Sequence, residues 1–143
     1  MNWNWWQYWA TVGLRLDAAA NTNMHINLKN NSGIHVGGTM GQLGSTFDDR
    51  ASRGGPAVRQ DKYISPWLFL IGDDRKFIVP NFNMNYFRTG EGRTHSLNFG
   101  PGADFKMKGR FSSSLSMNFS HSIRDNQWYG HVTDDAGADQ YAF

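Results

Sequence analysis

Cysteine is absent from the 143 residues. Its absence excludes disulfide frameworks, thiolate metal sites and cysteine nucleophiles. Glutamate occurs once, as Glu91, and charged residues make up only 18% of the chain. Lys and Arg number 14 against 12 Asp and Glu, a net charge of +2, too small to mark a nucleic-acid partner. No apolar run reaches about 18 residues, which removes a transmembrane helix. Met1-Asn2-Trp3-Asn4-Trp5-Trp6 has neither the basic start nor the apolar core of a signal peptide. Two readings of that follow: a cytoplasmic protein, or a piece of a longer exported chain. Helix-favouring Glu, Lys, Leu and Ala are scarce, whereas Gly (16 residues), Asn, Ser and aromatics (15%) are abundant. This balance points to an antiparallel all-β architecture. At this length a single domain, 1–143, is expected, and no repeat or linker divides it.

Period-two alternation recurs along the chain. Trp6, Tyr8, Ala10, Val12, Leu14 and Leu16 alternate with Gln7, Trp9, Thr11, Gly13 and Arg15. Met24, Ile26, Leu28, Asn30, Ser32, Ile34, Val36, Gly38 and Met40 alternate with His25, Asn27, Lys29, Asn31, Gly33, His35, Gly37 and Thr39. The same pattern runs from Ile78 to Phe87, Leu97 to Lys108 and Ser114 to Ile123. Each such stretch has one apolar and one polar face, the mark of a half-buried strand. The stretch from Tyr63 to Ile71 is apolar on both faces. Strands are therefore expected near 5–17, 24–42, 62–72, 77–89, 95–109 and 112–124, with a seventh beginning at Tyr141. Short connections at Ala18–Asn23, Asp73–Lys76 and near Arg110 alternate with mostly longer ones at Leu43–Asp61, Thr89–Thr94 and Asp125–Gln140.

Two features separate this pattern from a soluble sandwich. The expected strands run 11 residues or more, where globular strands have about 5–6. The polar face carries Asn, Ser, Thr, Gly and His rather than Lys and Glu. In a membrane barrel the apolar face meets lipid and the polar face meets the lumen, and aromatics gather near strand ends. The fold expected is an antiparallel meander of six to seven long strands, part of a transmembrane β-barrel. A complete barrel has at least about eight strands, and an open sheet in lipid leaves edge groups unpaired. The chain therefore reads as a fragment of a larger barrel.

The segment Asp48-Asp49-Arg50-Ala51-Ser52-Arg53-Gly54-Gly55-Pro56-Ala57-Val58-Arg59 follows the long strand pair. A strand comes next, and then the turn Asp73-Asp74-Arg75-Lys76. With Ser114 to Arg124, Asn126-Gln127-Trp128-Tyr129 and Tyr141-Ala142-Phe143, this order resembles a bacterial family across nearly the whole chain. The family comprises outer-membrane β-barrel domains of unknown function that follow a module similar to family-nine carbohydrate-binding modules. The resemblance implies a bacterial outer-membrane location, with the lipid bilayer and the remaining barrel strands as partners. It implies carbohydrate as a ligand of the parent protein. The sugar-binding-like module itself is not in this sequence, so no residue here inherits that role.

Candidate chemistry is sparse. Arg53, Gly54, Gly55 and Pro56 read as a turn in which Gly supplies positive φ and Pro ends a ladder; the competing reading is a ligand or plug loop in the lumen. Seven charges crowd residues 48–62, and Leu43–Asp61 is expected to be ordered and folded toward the polar face, with Arg53 hydrogen-bonded. His25, His35, His95, His121 and His131 lack helical zinc spacing. On one strand His25 and His35 would stand about 33 Å apart, so no metal site or cofactor is expected. Asp134-Asp135-Ala136-Gly137-Ala138-Asp139 lacks the ligand order of a calcium loop. Asp48, Asp49, Asp73, Asp74 and Glu91 are the carboxylates available for a glycosidase pair. Trp5, Trp9, Trp67 and Trp128 suit an interfacial girdle or, alternatively, sugar stacking.

The function expected is a non-catalytic scaffold or transport wall. The alternative is a soluble β-sheet ligand-binding module, a small barrel or sandwich. An enzymatic role would belong to the parent protein.

Overall fold

The computed structural model describes residues 1–51, 56–107, 111–125, 130–133 and 139–142. It is all-β. Among the described residues twelve strands occur in order: β1 (Asn2–Trp9), β2 (Arg15–Asn27), β3 (Gly33–Gly41), β4 (Phe47–Asp48), β5 (Val58–Arg59), β6 (Tyr63–Ile71), β7 (Ile78–Thr89), β8 (Thr94–Met107), β9 (Phe111–Ser116), β10 (Phe119–Ile123), β11 (Gly130–Thr133) and β12 (Asp139–Ala142). The main sheet is an antiparallel meander in the order β1-β2-β3-β6-β7-β8-β10, with β9 also on β8. β9 and β10 continue one another. Gly102 pairs with Ser116 and Phe99 with Phe119, a single unbroken register. The sheet thus has seven long strands and two open edges, β1 and β9–β10. β4 with β5, and β11 with β12, form separate two-stranded pairs. The expected seventh strand at Tyr141 lies in β12, outside the main sheet.

Two expected strands are redrawn by turns. The 5–17 stretch contains a turn in which Gly13 N donates to Ala10 O (2.9 Å) and Ala10 N to Leu14 O (2.8 Å), with Gly13 at φ +80°. The 24–42 stretch contains another: Asn31 N donates to Leu28 O (2.9 Å), and Asn31 takes φ +59°. The expected turn at Ala18–Asn23 lies inside β2 instead. The cause is parity. Ile26 pairs with Ile34 and Met24 with Val36, so even residues stay on one face through the turn and the alternation does not register it.

Opposed residues in a ladder share a face, so the registers sort every strand. One face carries Trp3 and Trp5; Met24 and Ile26; Ile34, Val36 and Met40; Ile64, Leu68 and Leu70; Phe82, Met84 and Tyr86; Leu97, Phe99 and Phe105; Leu115 and Phe119. The other carries Asn2, Asn4, Asn21, Asn23, Asn27, Thr39, Asn81, Asn83, Asn85, Asn98 and Ser116. The expected partition holds for β2 through β10. It fails in β1, where Gln7 pairs with Ala18 on the apolar face while Trp6 and Tyr8 lie on the polar one. Tryptophans on both faces of β1 masked its parity.

Nothing in the described residues covers the apolar face. Met40 is 55% exposed, Leu115 60% and Trp3 71%, while the fully buried apolar side chains are only Ala18, Ala19 and Val79. The accessible surface is 10470 Å², against about 7,500 Å² for a compact monomer of this mass.

Glycines cluster on the opposite, polar face. A Cβ at Gly37 would meet Thr22 O at 2.6 Å and the Trp67 ring at 2.7 Å; Gly33 lies under Ile71 and Gly41 under the Tyr63 ring. Gly100 and Gly102 of β8 sit beside Asn83 and Asn81 in the same way. Large side chains of one strand fill the space that the neighbour's glycines leave.

The turns at one end of the sheet are pinned by charge. Asp73 Oδ1 accepts from Arg75 N (3.1 Å) and Nε (3.0 Å), and Oδ2 from Arg75 Nη2 (3.0 Å). With its amide turned to suit the contact, Asn31 also accepts from Arg75 Nη1 and Nε at 2.8 Å, tying the β2–β3 turn to the β6–β7 turn. The Arg75 hydrogen bonds hold the Asp73 carboxyl down at about 2.

Two outcomes follow from this packing. Gly37→Ala should destabilise the folded chain by about 1–3 kcal/mol through overpacking against backbone, whereas Thr39→Ala on the same face should cost less, as denaturant titration will read. Because the Asp73 pKa is depressed on folding, its contribution is complete above its unfolded pKa of about 3.9 and is lost as pH falls through about 2. Asp73→Asn should therefore flatten the acid limb of a stability–pH curve below about pH 4.

Candidate functional site

The polar face is built in rows by the pairing. One row reads His25, His35, Phe69, Asn83 and Gly100 across five strands, and the next reads Asn23, Gly37, Trp67, Asn85 and Asn98. Asn side chains bridge the β1–β2 edge: Asn2 Nδ2 donates to Asn23 Oδ1 (3.1 Å) and Asn4 Nδ2 to Asn21 Oδ1 (2.8 Å). Asn83 Nδ2 donates to Gly100 O at 3.2 Å. These rows offer amides, imidazoles and aromatic planes without formal charge, while Asp17 and Asp104 stand on the same face nearer its ends. The amides suit water and neutral polyols.

His25 and His35 overturn an expectation. The turn at 28–32 folds their stretch into a hairpin, so the two residues pair directly and their ring centroids stand 4.6 Å apart, with the Nδ1 atoms facing each other. The separation of a single strand does not apply. His95 and His121 also approach, with centroids 6.3 Å apart, on the apolar face. Among the described residues no group of three or more His, Asp or Glu could hold a metal ion.

The rim at the other end of the sheet is met by residues 42–51 and 56–62. Leu43 N donates to Ala18 O (2.9 Å), Gln60 N to Thr46 O (2.9 Å) and Arg15 Nε to Ser45 O (3.2 Å). Strands β4 and β5 pair within the loop, Phe47 opposite Arg59. These contacts tie the base of the loop to β2. Of the motif, Pro56 is exposed, and Arg53, Gly54 and Gly55 lie outside the described residues. So do Trp128 and the 134–138 segment.

Gln42, Arg59, Gln60, Asp61, Tyr63, Thr89 and Asp125 line a polar cavity of about 320 Å³ under the loop. Arg93 organises its edge: it pairs with Asp61 (3.5 Å) and Asp125 (3.2 Å), and its Nε donates to Gly90 O (3.0 Å). No sequence signal singles out Arg93; its partners come from three separate segments.

The other candidates are dispersed. Asp48 Oδ1 caps its own loop, accepting from Arg50 N (2.8 Å) and Ala51 N (3.0 Å). Asp73 and Asp74 lie at the opposite end of the sheet. A strand of nine residues, about 30 Å, separates the two pairs, where glycosidase carboxylates stand about 5–9.5 Å apart. Trp67 faces the polar side over Gly37, Trp5 faces the apolar side, and Trp9 stacks under Arg15, whose guanidinium carbon is 5.8 Å from the ring centroid.

Arg93→Ala should raise proteolysis within residues 42–62 while leaving the sheet's far-UV signal unchanged, since exposed ion pairs add little to global stability but here hold a loop. Comparisons with protein families, with curated proteins and with solved structures find no match to this chain.

Proposed function

We propose that the chain is a wall segment of a bacterial outer-membrane β-barrel, a non-catalytic scaffold or transport wall with its apolar face toward lipid and its polar face toward the lumen. One observation carries the reading: an uncovered apolar face spans all seven strands inside a band without formal charge. Residues 18–27, 33–41, 63–71, 78–87, 94–103 and 111–123 contain no Asp, Glu, Lys or Arg. These stretches of 9 to 13 residues match the ~9–11 that a tilted strand needs to cross a bilayer. Charges stand at both borders, Lys29, Asp73, Asp74, Arg75, Lys76 and Lys106 at one end and Arg15, Asp61, Lys62, Arg88 and Arg93 at the other.

Further features support it. Trp3, Trp5 and Tyr86 lie toward one end of the apolar face and Phe105 and Phe111 toward the other, as in interfacial girdles. Glycines concentrated on the polar face favour curvature toward that side, where the Cβ atoms of a closing sheet converge. The resemblance of the loop motif and following strands to outer-membrane barrel domains points the same way, and with it to a carbohydrate-handling parent.

The open edges specify how the wall would be completed. With seven alternating strands, β1 and β9–β10 run in the same direction. An all-antiparallel closed barrel then requires an odd number of additional strands between them. In lipid those edges must be paired.

Phe82→Arg or Met84→Arg should weaken folding into lipid vesicles by about 2–4 kcal/mol, with Asn83→Arg costing much less. Equal tolerance at both parities, with stable folding in detergent-free buffer, would favour a soluble sheet module instead.

A further inference from the structure

We propose that His25 and His35 form a two-imidazole site for a divalent transition metal on the polar face. The pair is built by the backbone. The β2–β3 register sets the two residues directly opposite, and both side chains leave the sheet on the same side. Their Nδ1 atoms are turned toward each other and the rings meet edge to face, with centroids 4.6 Å apart. Two imidazole nitrogens so opposed share either one proton or one metal ion.

A shared ion needs little rearrangement. With metal–nitrogen bonds of about 2.0–2.1 Å, chelating nitrogens stand about 3 Å apart, a spacing that small side-chain rotations supply. His35 is confined on both sides. The Phe69 ring lies 5.7 Å away on β6, and a Cβ at Gly33 would sit 3.0 Å from His35 Nε2. The glycine leaves the room that the ring occupies, and the phenyl plane limits its swing. The site is therefore partly preorganised before any ion arrives.

Its chemistry selects a class of metal. Neutral imidazoles favour Zn²⁺, Ni²⁺ and Cu²⁺ over the oxygen-seeking Ca²⁺ and Mg²⁺. No third His, Asp or Glu joins the pair among the described residues, so water or a ligand in the lumen completes the coordination. Such a site is open and exchangeable, unlike a closed structural centre. The proposal rests on the β2–β3 hairpin alone and does not require the apolar face to meet lipid.

The test is isothermal titration of the tag-free full chain, folded in detergent micelles, with Zn²⁺ and with Ni²⁺. One ion per chain is expected. His25→Gln and His35→Gln should each weaken binding by more than about tenfold, since a single imidazole no longer chelates. His121→Gln should leave it unchanged. Circular dichroism reports whether each variant keeps its sheet. Cu²⁺ broadening of ring resonances in the unsubstituted chain locates the ion without any substitution, and His35 and Phe69 should broaden first. Absence of saturable binding at millimolar metal, binding that survives both substitutions, or broadening centred on His95 and His121 would overturn the proposal.

Discussion

The apolar face of this sheet must be covered by something other than the described chain. Strand pleating forces alternate residues to opposite sides, and antiparallel pairing carries each side across to the next strand. Seven strands in one register therefore make one continuous apolar surface from Trp3 to Phe119. Exposed residues such as Met40 and Leu115 show that no second layer of the described residues folds onto it. A sheet in water hides such a face against helices or a second sheet. A sheet in a bilayer needs neither, because lipid is the cover. The membrane reading takes its force from this requirement and from the position of the charges, which stop where a bilayer's core would begin.

The polar face answers a different constraint. Its residues are largely Asn, Ser, Thr, Gly and His, with Tyr63, Trp67 and Ile71 laid across the glycines of β3. A surface facing bulk water tolerates Lys and Glu freely, whereas a confined polar wall has to satisfy each group locally. The Asn2–Asn23 and Asn4–Asn21 bridges do so at the β1 edge. On the same face the β2–β3 register sets His25 and His35 opposite each other, with their Nδ1 atoms turned together.

Much of the fold was legible in the sequence, and the failures have definite causes. The strands from Tyr63 to Ile123 follow the expected boundaries closely, because Gly72-Asp73-Asp74 and Gly90-Glu91-Gly92 mark their turns. The first 42 residues misled. Asn21-Thr22-Asn23 looks like a turn but is strand, its Asn side chains lying on the polar face. The true turn at 28–32 preserves parity and so leaves the alternation intact. Asn30-Asn31-Ser32-Gly33, four turn-forming residues in sequence, is the signal that would have located it. With that turn misplaced, the His25–His35 pair was out of reach. The Arg93 cluster was not legible at all, since Asp61, Gly90 and Asp125 come together only through the long-range register.

The absence of cysteine opens the most direct test of the central claim, that one face of this sheet meets lipid and the other water. Single cysteines can be placed at each position from Ile78 to Phe87 of β7, labelled with an environment-sensitive fluorophore and folded into vesicles. Quenching by a lipid-phase quencher should be strong at 78, 80, 82, 84 and 86, with an aqueous quencher acting at 79, 81, 83 and 85. Aqueous access at both parities, with no lipid-phase quenching anywhere along the strand, would contradict the account.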